Sequence, residues 1–276
     1  MSKLLAFGPN SLALDRPRVM GILNVTPDSF SDGGRYHDRE RALAHARQMV
    51  ADGADIIDIG GESTRPGALP VPVDAELDRV VPLVEALGRE GVLVSVDTMK
   101  PEVMRAALTA GAGMINDVRA LQAPGAVAAA VAGHAAVCLM HMQGEPRTMQ
   151  KEPHYGDVVT EVRDFLVGRA QACEAAGIPR GRIVIDPGFG FGKTVAHNRA
   201  LLRGLRMLAA TGYPVLAGLS RKSMLGVVAG RDVNERAPAS VAAALAAVGR
   251  GAAIVRVHDV RETVDALKVW HAIESE

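Results

Sequence analysis

The chain of 276 residues carries 31 basic and 31 acidic side chains, so its formal net charge is zero. A balanced charge offers no electrostatic attraction for nucleic acid or for an anionic membrane. Aromatic residues make up only 3% of the chain, too few for a surface that stacks single-stranded bases. No apolar run reaches the ~18 residues of a membrane span, and no signal-peptide pattern opens the chain. We therefore expect a soluble, cytoplasmic protein with neither nucleic acid nor a membrane as partner.

In chain order, two short apolar segments, "LLAF" and "LAL", predict an N-terminal β-hairpin. Eight apolar or β-branched runs follow, separated by helix-sized segments, a pattern typical of parallel strands that are covered on the outside. The runs are 19–24, 55–60, 92–97, 113–117, 136–142, 182–187, 214–220 and 253–259. This order favours one domain over 1–276, a TIM (β/α)8 barrel of the α/β class with the hairpin plugging its bottom. An open doubly wound sheet is the alternative, but no G-x-G-x-x-G follows the first run.

Polar residues close most of these runs, and in a barrel the C-terminal ends of all strands meet at one mouth. The closing residues are Asn24, Asp97, Asn116, His141, Asp186, Ser220, Arg256 and His258. Any single Asp at such a position has the alternative of capping a helix or pairing with a structural Arg. Two Asp and two Asn together suit a flat heterocycle that carries both N–H and C=O groups. A carboxylate that accepts two parallel hydrogen bonds fits the guanidine-like edge of a 2-amino-4-oxo pterin, and we assign this role to Asp186.

The stretch "DPGFGFGKT", residues 186–194, nearly matches the phosphate-binding pattern G-x-x-x-x-G-K-[ST]. Pro187 replaces the first glycine and has no N–H to donate, and the neighbouring carboxylate repels phosphate. We expect the three glycines of this stretch to let the backbone approach a flat ligand instead. Lys193 and Thr194 are then left without a role in ligand binding.

Cationic side chains follow the seventh and eighth runs. Lys222, in "GLSRKSMLG", lies where barrels often bind phosphate, although a surface position is the usual alternative for lysine. Ser223 is interpreted as a helix N-cap or first-turn residue, where free N–H groups attract anions. Arg256 and His258 in "RVHD" share one face of a strand by its period of two, so we interpret them as a clamp for a diphosphate leaving group. His141 stays open between a packing role and support of a site residue.

The remaining signals concern metals, thiols and long loops. No His, Cys and carboxylate spacing suggests zinc, whereas Mg2+ held through substrate phosphates and a single amide such as Asn24 fits the habits of that ion. Cys138, inside "AAVCLM", is expected to be an inert core thiol. The segments "TPDSFSDGGRYHD" and "GESTRPGALPVP" are long and glycine-containing, and we expect both to act as mobile lids at the mouth.

These motifs resemble the dihydropteroate synthase family, the sulfonamide target of folate synthesis. The matching stretches are "GILNVTPDSFSDGG", "ADIIDIGGESTRPGA", "VSVDTMKPEV", "AGMINDV", "MHMQGEPRTMQ", "IVIDPGFGFGKTVAHN", "GLSRKSMLG" and "RVHDV". The resemblance implies a TIM-barrel homodimer that joins 6-hydroxymethyl-7,8-dihydropterin diphosphate to 4-aminobenzoate, with Mg2+, and releases diphosphate. Because the electron-rich dihydropterin can spread positive charge, we expect the substitution to be dissociative. Two alternatives stay open: methyl transfer from methyltetrahydrofolate to a corrinoid protein, and a catalytically silent pterin-binding paralogue.

The resemblance also implies roles for individual residues. The pterin is expected to bind Thr64, Asp97, Asn116, Asp186 and Lys222. The diphosphate and its metal are expected at Asn24, Arg256 and His258. The 4-aminobenzoate pocket is expected to comprise Phe30, Arg65, Pro66, Lys222 and Ser223. The catalytic residues among these would be Asp97, Lys222, Arg256 and His258.

Overall fold

The computed structural model describes residues 4–26, 34–63, 67–145 and 148–274, apart from the side chains of residues 34–37. The strands are β1 (Leu4–Phe7), β2 (Asn10–Ala13), β3 (Arg18–Asn24), β4 (Ile56–Gly60), β5 (Val94–Asp97), β6 (Met114–Asp117), β7 (Ala136–Met140), β8 (Ile183–Asp186), β9 (Val215–Ala217) and β10 (Ala252–Val257). The helices are α1 (Gly34–Ala51), α2 (Val73–Arg89), α3 (Pro101–Thr109), α4 (Ala126–Ala132), α5 (Val158–Ala175), α6 (Val195–Arg203), α7 (Leu205–Ala209), α8 (Ser223–Ala229), α9 (Ala237–Val248) and α10 (Val260–Glu274).

Strands β3 to β10 form a closed barrel in which every neighbouring pair is parallel. Closure comes from β10, which pairs with β3 so that Val255 lies opposite Val19. The barrel prediction is therefore confirmed, and the open doubly wound sheet is wrong. Each of the eight predicted runs overlaps one barrel strand, and the ends agree within three residues. The largest difference is at β9, which ends at Ala217, so residues 218–220 lie beyond the sheet rather than in it.

The alternation of side chains along the strands separates two apolar cores. The larger core fills the space between the strands and the surrounding helices. The smaller core lies inside the lower barrel, where Leu5, Phe7 and Leu12 of the antiparallel β1–β2 hairpin pack on inward side chains of the strands. The predicted hairpin plug is thus in place. Apolar packing fills the barrel interior at the strands' N-terminal end, so the inward-facing polar site lies at the opposite mouth.

Two smaller predictions also have structural outcomes. Cys138 lies in the inner core with no exposed surface, and burial raises the pKa of its thiol well above the usual range, in agreement with an inert thiol.

Helix α1 begins at Gly34, so the end of the first expected lid belongs to this helix. The rest of that expected lid from residue 27 and residues 64–66 of the second lie outside the described residues. In the described part of the chain, no helix has the length and apolar character needed to cross a membrane.

Candidate active site

The strand register places several polar side chains in one layer at the barrel mouth. Asn24 lies opposite Gly60, Gly60 opposite Asp97, and Asp97 opposite Asn116. Residues that pair across parallel strands point to the same side of the sheet, so Asn24, Asp97 and Asn116 face the barrel axis together. Gly60 lies between two of them, since a Cβ at this position would be in ordinary van der Waals contact with Asn24 Oδ1 at 3.5 Å and with Asp97 Cβ at 3.8 Å.

Arg256 of β10 crosses the barrel and joins this layer. Its Nε donates to Asp58 Oδ2 at 2.6 Å, and its Nη2 donates to Asp97 Oδ2 at 2.8 Å. Asn116 Nδ2 donates to the same Asp58 oxygen at 3.1 Å. The guanidinium therefore ties β10 to β4 and β5. Two of its donors are already engaged by carboxylates, so the forked grip on diphosphate that the sequence suggested is not available with those donors.

Asp58 is a site residue that the sequence reasoning missed. Its side chain has no exposed surface, and its Oδ1 has no hydrogen-bond partner among the described residues. A buried acceptor of this kind is costly unless a water or a ligand donor reaches it. The available signal was an acidic residue in the middle of the apolar run "IIDIG", two positions before the inward-facing Gly60.

Burial and charge oppose each other at these ionisable groups. Burial raises the pKa of Asp97 to about 7; Arg256 acts against this shift, and Asp58 adds to it. Burial disfavours the charge of Arg256, but the two carboxylates outweigh that effect and raise its pKa. The site thus holds a permanent cation next to a carboxyl group that titrates near neutral pH.

Asp186 ends β8 and is 5% exposed. Its Oδ1 accepts the backbone N–H of Gly188 at 2.7 Å. Burial raises the pKa of this carboxyl, while the Gly188 bond and the positive charge of Lys222 act in the opposite direction. Asp186 is thus held in place by the chain that follows it, in a position reached by a second cation.

Lys222 precedes the first residue of α8 and points into the site rather than to the surface. Its Nζ donates to the Phe189 carbonyl and lies 4.3 Å from the centroid of the Phe191 ring. Burial lowers the pKa of this amine to about 8, and the charge of Asp186 opposes the shift. The surface alternative for Lys222 is therefore wrong. Ser223 begins α8, as the first-turn interpretation required, and its side chain is exposed.

His258 follows β10 and is oriented by Ser220. The two side chains meet at 3.0 Å between Ser220 Oγ and His258 Nδ1, and the His258 backbone N–H donates to the same oxygen at 3.2 Å. Because β9 ends early, Ser220 lies in the loop beside β10 and can reach this ring. The pairing fixes the imidazole relative to the barrel mouth.

His141 and the end of the glycine-rich stretch have structural contacts. His141 Nδ1 lies 3.0 Å from Lys193 Nζ, and the ring packs edge-on against Phe165. Thr194 caps α6 by accepting the backbone N–H of His197, whose ring in turn accepts the Thr194 backbone N–H. These contacts favour the packing interpretation of His141 and give Thr194 a role in starting a helix.

Four predicted site residues lie outside the described part of the chain: Phe30, Thr64, Arg65 and Pro66. The described chain on either side of residues 64–66 is joined by Glu62, which accepts the Val71 backbone N–H at 3.3 Å. Lys100 bridges this carboxylate to the buried Glu76. This ion cluster was not foreseen, because its members come from three separate segments of the chain.

Comparison with known proteins agrees with this geometry. A family model described as "Pterin binding enzyme" matches residues 20–258. Dihydropteroate synthase of Escherichia coli strain K12 is 52% identical over 271 residues, which cover 98% of this chain and 96% of that protein. A solved structure of the Xanthomonas albilineans synthase with 4-aminobenzoic acid has a TM-score of 0.95 at 55% identity, over 100% of both chains. Another structure from that organism, in complex with 7,8-dihydropteroate, has a TM-score of 0.91 at 53% identity, over 99% of both chains.

The family model begins within β3 and ends one residue after β10, and the relatives match nearly the full length at more than half identity. The barrel fold agrees with that of the solved synthase structures. This chain belongs to the dihydropteroate synthase family of pterin-binding enzymes.

Proposed function

We propose that this chain is a dihydropteroate synthase, which joins 6-hydroxymethyl-7,8-dihydropterin diphosphate to 4-aminobenzoate and releases diphosphate. The observation that carries the proposal is that one barrel mouth holds Asp97, Asn116, Asp186, Lys222 and Arg256. Asp58 accepts hydrogen bonds from Asn116 and Arg256, and the loop of residues 188–191 contacts Asp186 and Lys222. The family relationship supports the same reaction. The named relatives are all dihydropteroate synthases, which favours this reaction over methyl transfer to a corrinoid protein.

The pterin is bound by groups that complement its edges. Asp186 accepts hydrogen bonds from the 2-amino group and the adjacent ring nitrogen, in the bidentate manner of a carboxylate. Asn116 offers an amide whose orientation is fixed by Asp58. Lys222 donates to the carbonyl side of the ring, and Thr64 belongs to the same proposed set. Binding buries the pterin in the barrel mouth and excludes water from the reacting carbon.

The substitution is proposed to be dissociative. The bond between the exocyclic CH2 and the diphosphate oxygen breaks first, and its electron pair leaves with the diphosphate. The dihydropterin ring spreads the positive charge that remains, and the Asp97 carboxylate stabilises it. The amine nitrogen of 4-aminobenzoate then forms the new C–N bond and gives up its proton to water or to the departing diphosphate. The expected lids, with Phe30, Arg65 and Pro66, would hold the amine together with Lys222 and Ser223 and keep water away.

The negative charge of the leaving group is met by Arg256 and His258. A fixed cation aimed at developing charge lowers a barrier by several kcal/mol, because no reorganisation is needed during the reaction. Arg256 contributes mainly through its charge, since Asp58 and Asp97 engage two of its donors. His258 is oriented for a direct contact by Ser220.

Mg2+ is proposed as the cofactor, with Asn24 as its protein ligand. No cluster of three or more His, Cys, Asp or Glu side chains able to hold a metal occurs in the described ranges. Asn24 Oδ1 lies in the polar layer beside Gly60, where it could serve as the single protein oxygen of an ion that takes its other ligands from phosphate oxygens and water. When bound, Mg2+ would neutralise charge on the diphosphate.

Diphosphate release tests the proposal directly. The purified protein is incubated with the pterin diphosphate and Mg2+, and released diphosphate is measured with and without 4-aminobenzoate. We expect release only when the amine is present. Release at the same rate with and without the amine, or none in either case, would contradict the proposal, and the second outcome would identify a silent paralogue. Methyl transfer predicts turnover of methyltetrahydrofolate instead.

A further inference from the structure

Lys193, the lysine of the stretch that resembles a phosphate-binding loop, is buried with 3% of its surface exposed. Its Nζ lies 3.0 Å from His141 Nδ1, from the Gly188 carbonyl and from the Phe191 carbonyl, and 3.3 Å from the His141 carbonyl. All four acceptors are neutral groups of the protein. The amine therefore joins the two ends of the loop 188–191 to the chain that follows β7.

The same loop lies unusually close to the segment after β7. Gly188 has φ 65°, and a Cβ at this position would be 2.0 Å from the His141 carbonyl oxygen. Gly192 has φ 61°, and a Cβ there would be 2.5 Å from the Gln143 carbonyl oxygen. Only glycine permits this approach without a shift of backbone. The close packing makes Lys193 the side chain that satisfies carbonyls brought together in the interior.

The other side of the loop contacts the pterin-site residues. The Phe189 carbonyl accepts from Lys222 Nζ, and the Phe191 ring lies under the same amine. The Gly188 N–H holds Asp186 Oδ1. Lys193 bonds to the carbonyls of Gly188 and Phe191. The same loop therefore contacts Lys193 on one side and the side chains of Asp186 and Lys222 on the other.

We propose that Lys193 is a positioning residue: by binding the carbonyls of Gly188 and Phe191, it fixes the loop that orients Asp186 and Lys222 for the pterin. It does not touch the substrate itself. The kinetic part of this inference rests on the proposed synthase activity, whereas the structural part concerns the environment of the Lys222 amine and can be measured without substrate.

Electrostatics agree with a role based on hydrogen bonding. Burial lowers the pKa of Lys193 to about 7, with Asp186 acting against the shift and Lys222 adding to it. Burial also lowers the pKa of His141 to about 3, and Lys193 adds to this shift, so the ring is neutral and its Nδ1 can accept. The protonated amine has three N–H donors to share among these four acceptors, and the neutral amine keeps two, so it can still bond to the carbonyls of Gly188 and Phe191.

The test compares Lys193→Met, which keeps the length of the side chain but removes its donors, with Thr194→Ala, which removes the cap of α6 in the adjacent residue. Lys193→Met should lower kcat/KM for the pterin diphosphate about tenfold, the effect of losing buried hydrogen bonds that hold a site. The KM for 4-aminobenzoate should change much less. Thr194→Ala should lower the Tm while both kinetic constants stay near the wild-type values.

Acetylation by acetic anhydride reports the position of Lys222 without any substrate. The limiting rate at high pH, where the amine is neutral, is measured by mass spectrometry of the peptide that contains Lys222. At this limit the rate no longer reflects the fraction of neutral amine, which depends on the Lys222 pKa and therefore on Asp186, Arg256 and Asp97. Lys193→Met should raise this rate several-fold, because the Phe189 carbonyl and Phe191 ring would no longer enclose the amine, and Thr194→Ala should not.

Unchanged labelling and unchanged pterin kinetics in Lys193→Met would overturn the inference, as would equal effects in Thr194→Ala at a similar loss of Tm. If Lys193→Met does not fold, Lys193→Gln keeps N–H donors and should give a smaller rise in labelling; no rise would also overturn it. A wild-type protein that releases no diphosphate would refute the proposed function alone, because the labelling result would still stand.

Discussion

At the scale of single residues, Arg256 connects groups that are far apart in the chain. It binds Asp58 and Asp97 through separate nitrogens, and Asp58 also receives the Asn116 amide. A charge taken out of water needs such partners, since an unpaired buried ion costs several kcal/mol. The Asn116 amide, proposed to bind the pterin, and the Arg256 guanidinium, proposed to face the leaving group, therefore share the Asp58 carboxylate. A change at Asp58 should disturb both.

Asp58→Asn tests this connection. Arg256 would keep the Asp97 carboxylate as its hydrogen-bond partner but lose that of Asp58, so we expect the free energy of unfolding to fall by about 3 kcal/mol, as for other broken buried ion pairs. We expect kcat/KM to fall about 100-fold, because a displaced cation stabilises the leaving group less well. Urea denaturation and steady-state kinetics measure the two effects. Ser95→Ala is the matched control, since Ser95 lies opposite Asp58 in the same buried layer. Wild-type kinetics in Asp58→Asn would refute the role.

The pH dependence of kcat/KM for the pterin diphosphate follows from two shifted groups. Asp97, with a pKa of about 7, must be ionised to stabilise the cation, so activity should rise as pH increases through this value. Lys222, with a pKa of about 8, must be protonated to donate to the pterin, so activity should fall as pH increases further. The expected profile is a bell with its maximum between the two values. Asp97→Asn should remove the acidic limb, and Lys222→Met should remove the alkaline limb. A wild-type profile that lacks both limbs would contradict both assignments.

At the scale of elements, the hairpin β1–β2 and the mouth of the barrel have separate tasks. The hairpin fills the lower barrel with Leu5, Phe7 and Leu12, while the polar layer begins at Asp58 and Ser95 above it. Apolar packing at one end contributes stability, and the other end carries groups whose burial is costly. Changes in the hairpin should therefore affect folding and leave the chemistry intact.

Phe7→Ala is the corresponding prediction. Phe7 is 1% exposed, and its removal should lower the free energy of unfolding by about 3–5 kcal/mol, the usual cost of deleting a buried aromatic ring. The kcat of the protein that remains folded should equal that of the wild type. Leu4→Ala is a control on the same strand, because Leu4 is 60% exposed and its loss should be nearly neutral. A large drop in kcat for folded Phe7→Ala protein would show that the hairpin shapes the mouth.

At the scale of the whole molecule, the barrel positions the site by closing on itself. Pairing of β10 with β3 brings Arg256 within reach of Asp58 and Asp97, which precede it by more than 150 residues. The outer surface holds α8, with exposed Val227 and Val228, beside α9. The cytoplasmic location of the protein is a prediction from its sequence.

The homodimer proposal predicts a mass in solution of twice the 29.0 kDa chain. Exposed apolar side chains that adjoin a packed helix are a common feature of association surfaces, and burying them would stabilise the pair. Sedimentation equilibrium over a range of protein concentrations measures this mass. A single-chain mass throughout that range would refute the dimer.

The order of elements could be predicted from sequence because it depends on local patterns. Each barrel strand is a short apolar run, and each run is followed by a segment with helical spacing, so eight units and the hairpin were evident. The residues at the strand ends were evident for the same reason, since parallel strands place those ends together. Asp58 was missed because it lies in the middle of an apolar run and not at its end. The run alone does not show that its side chain points into the barrel.

The sequence by itself determined the barrel, its plug and most residues of the mouth, because period and strand-end chemistry are local properties. Only the tertiary structure decided what those residues do to one another. It directed Lys222 inward onto the Phe189 carbonyl, engaged Arg256 with two carboxylates, and gave Lys193 four acceptors from segments that meet only when the barrel is closed. The hydrogen-bond and ion-pair partners of a side chain depend on distances between remote parts of the chain, and those distances are set by the packing of the whole fold.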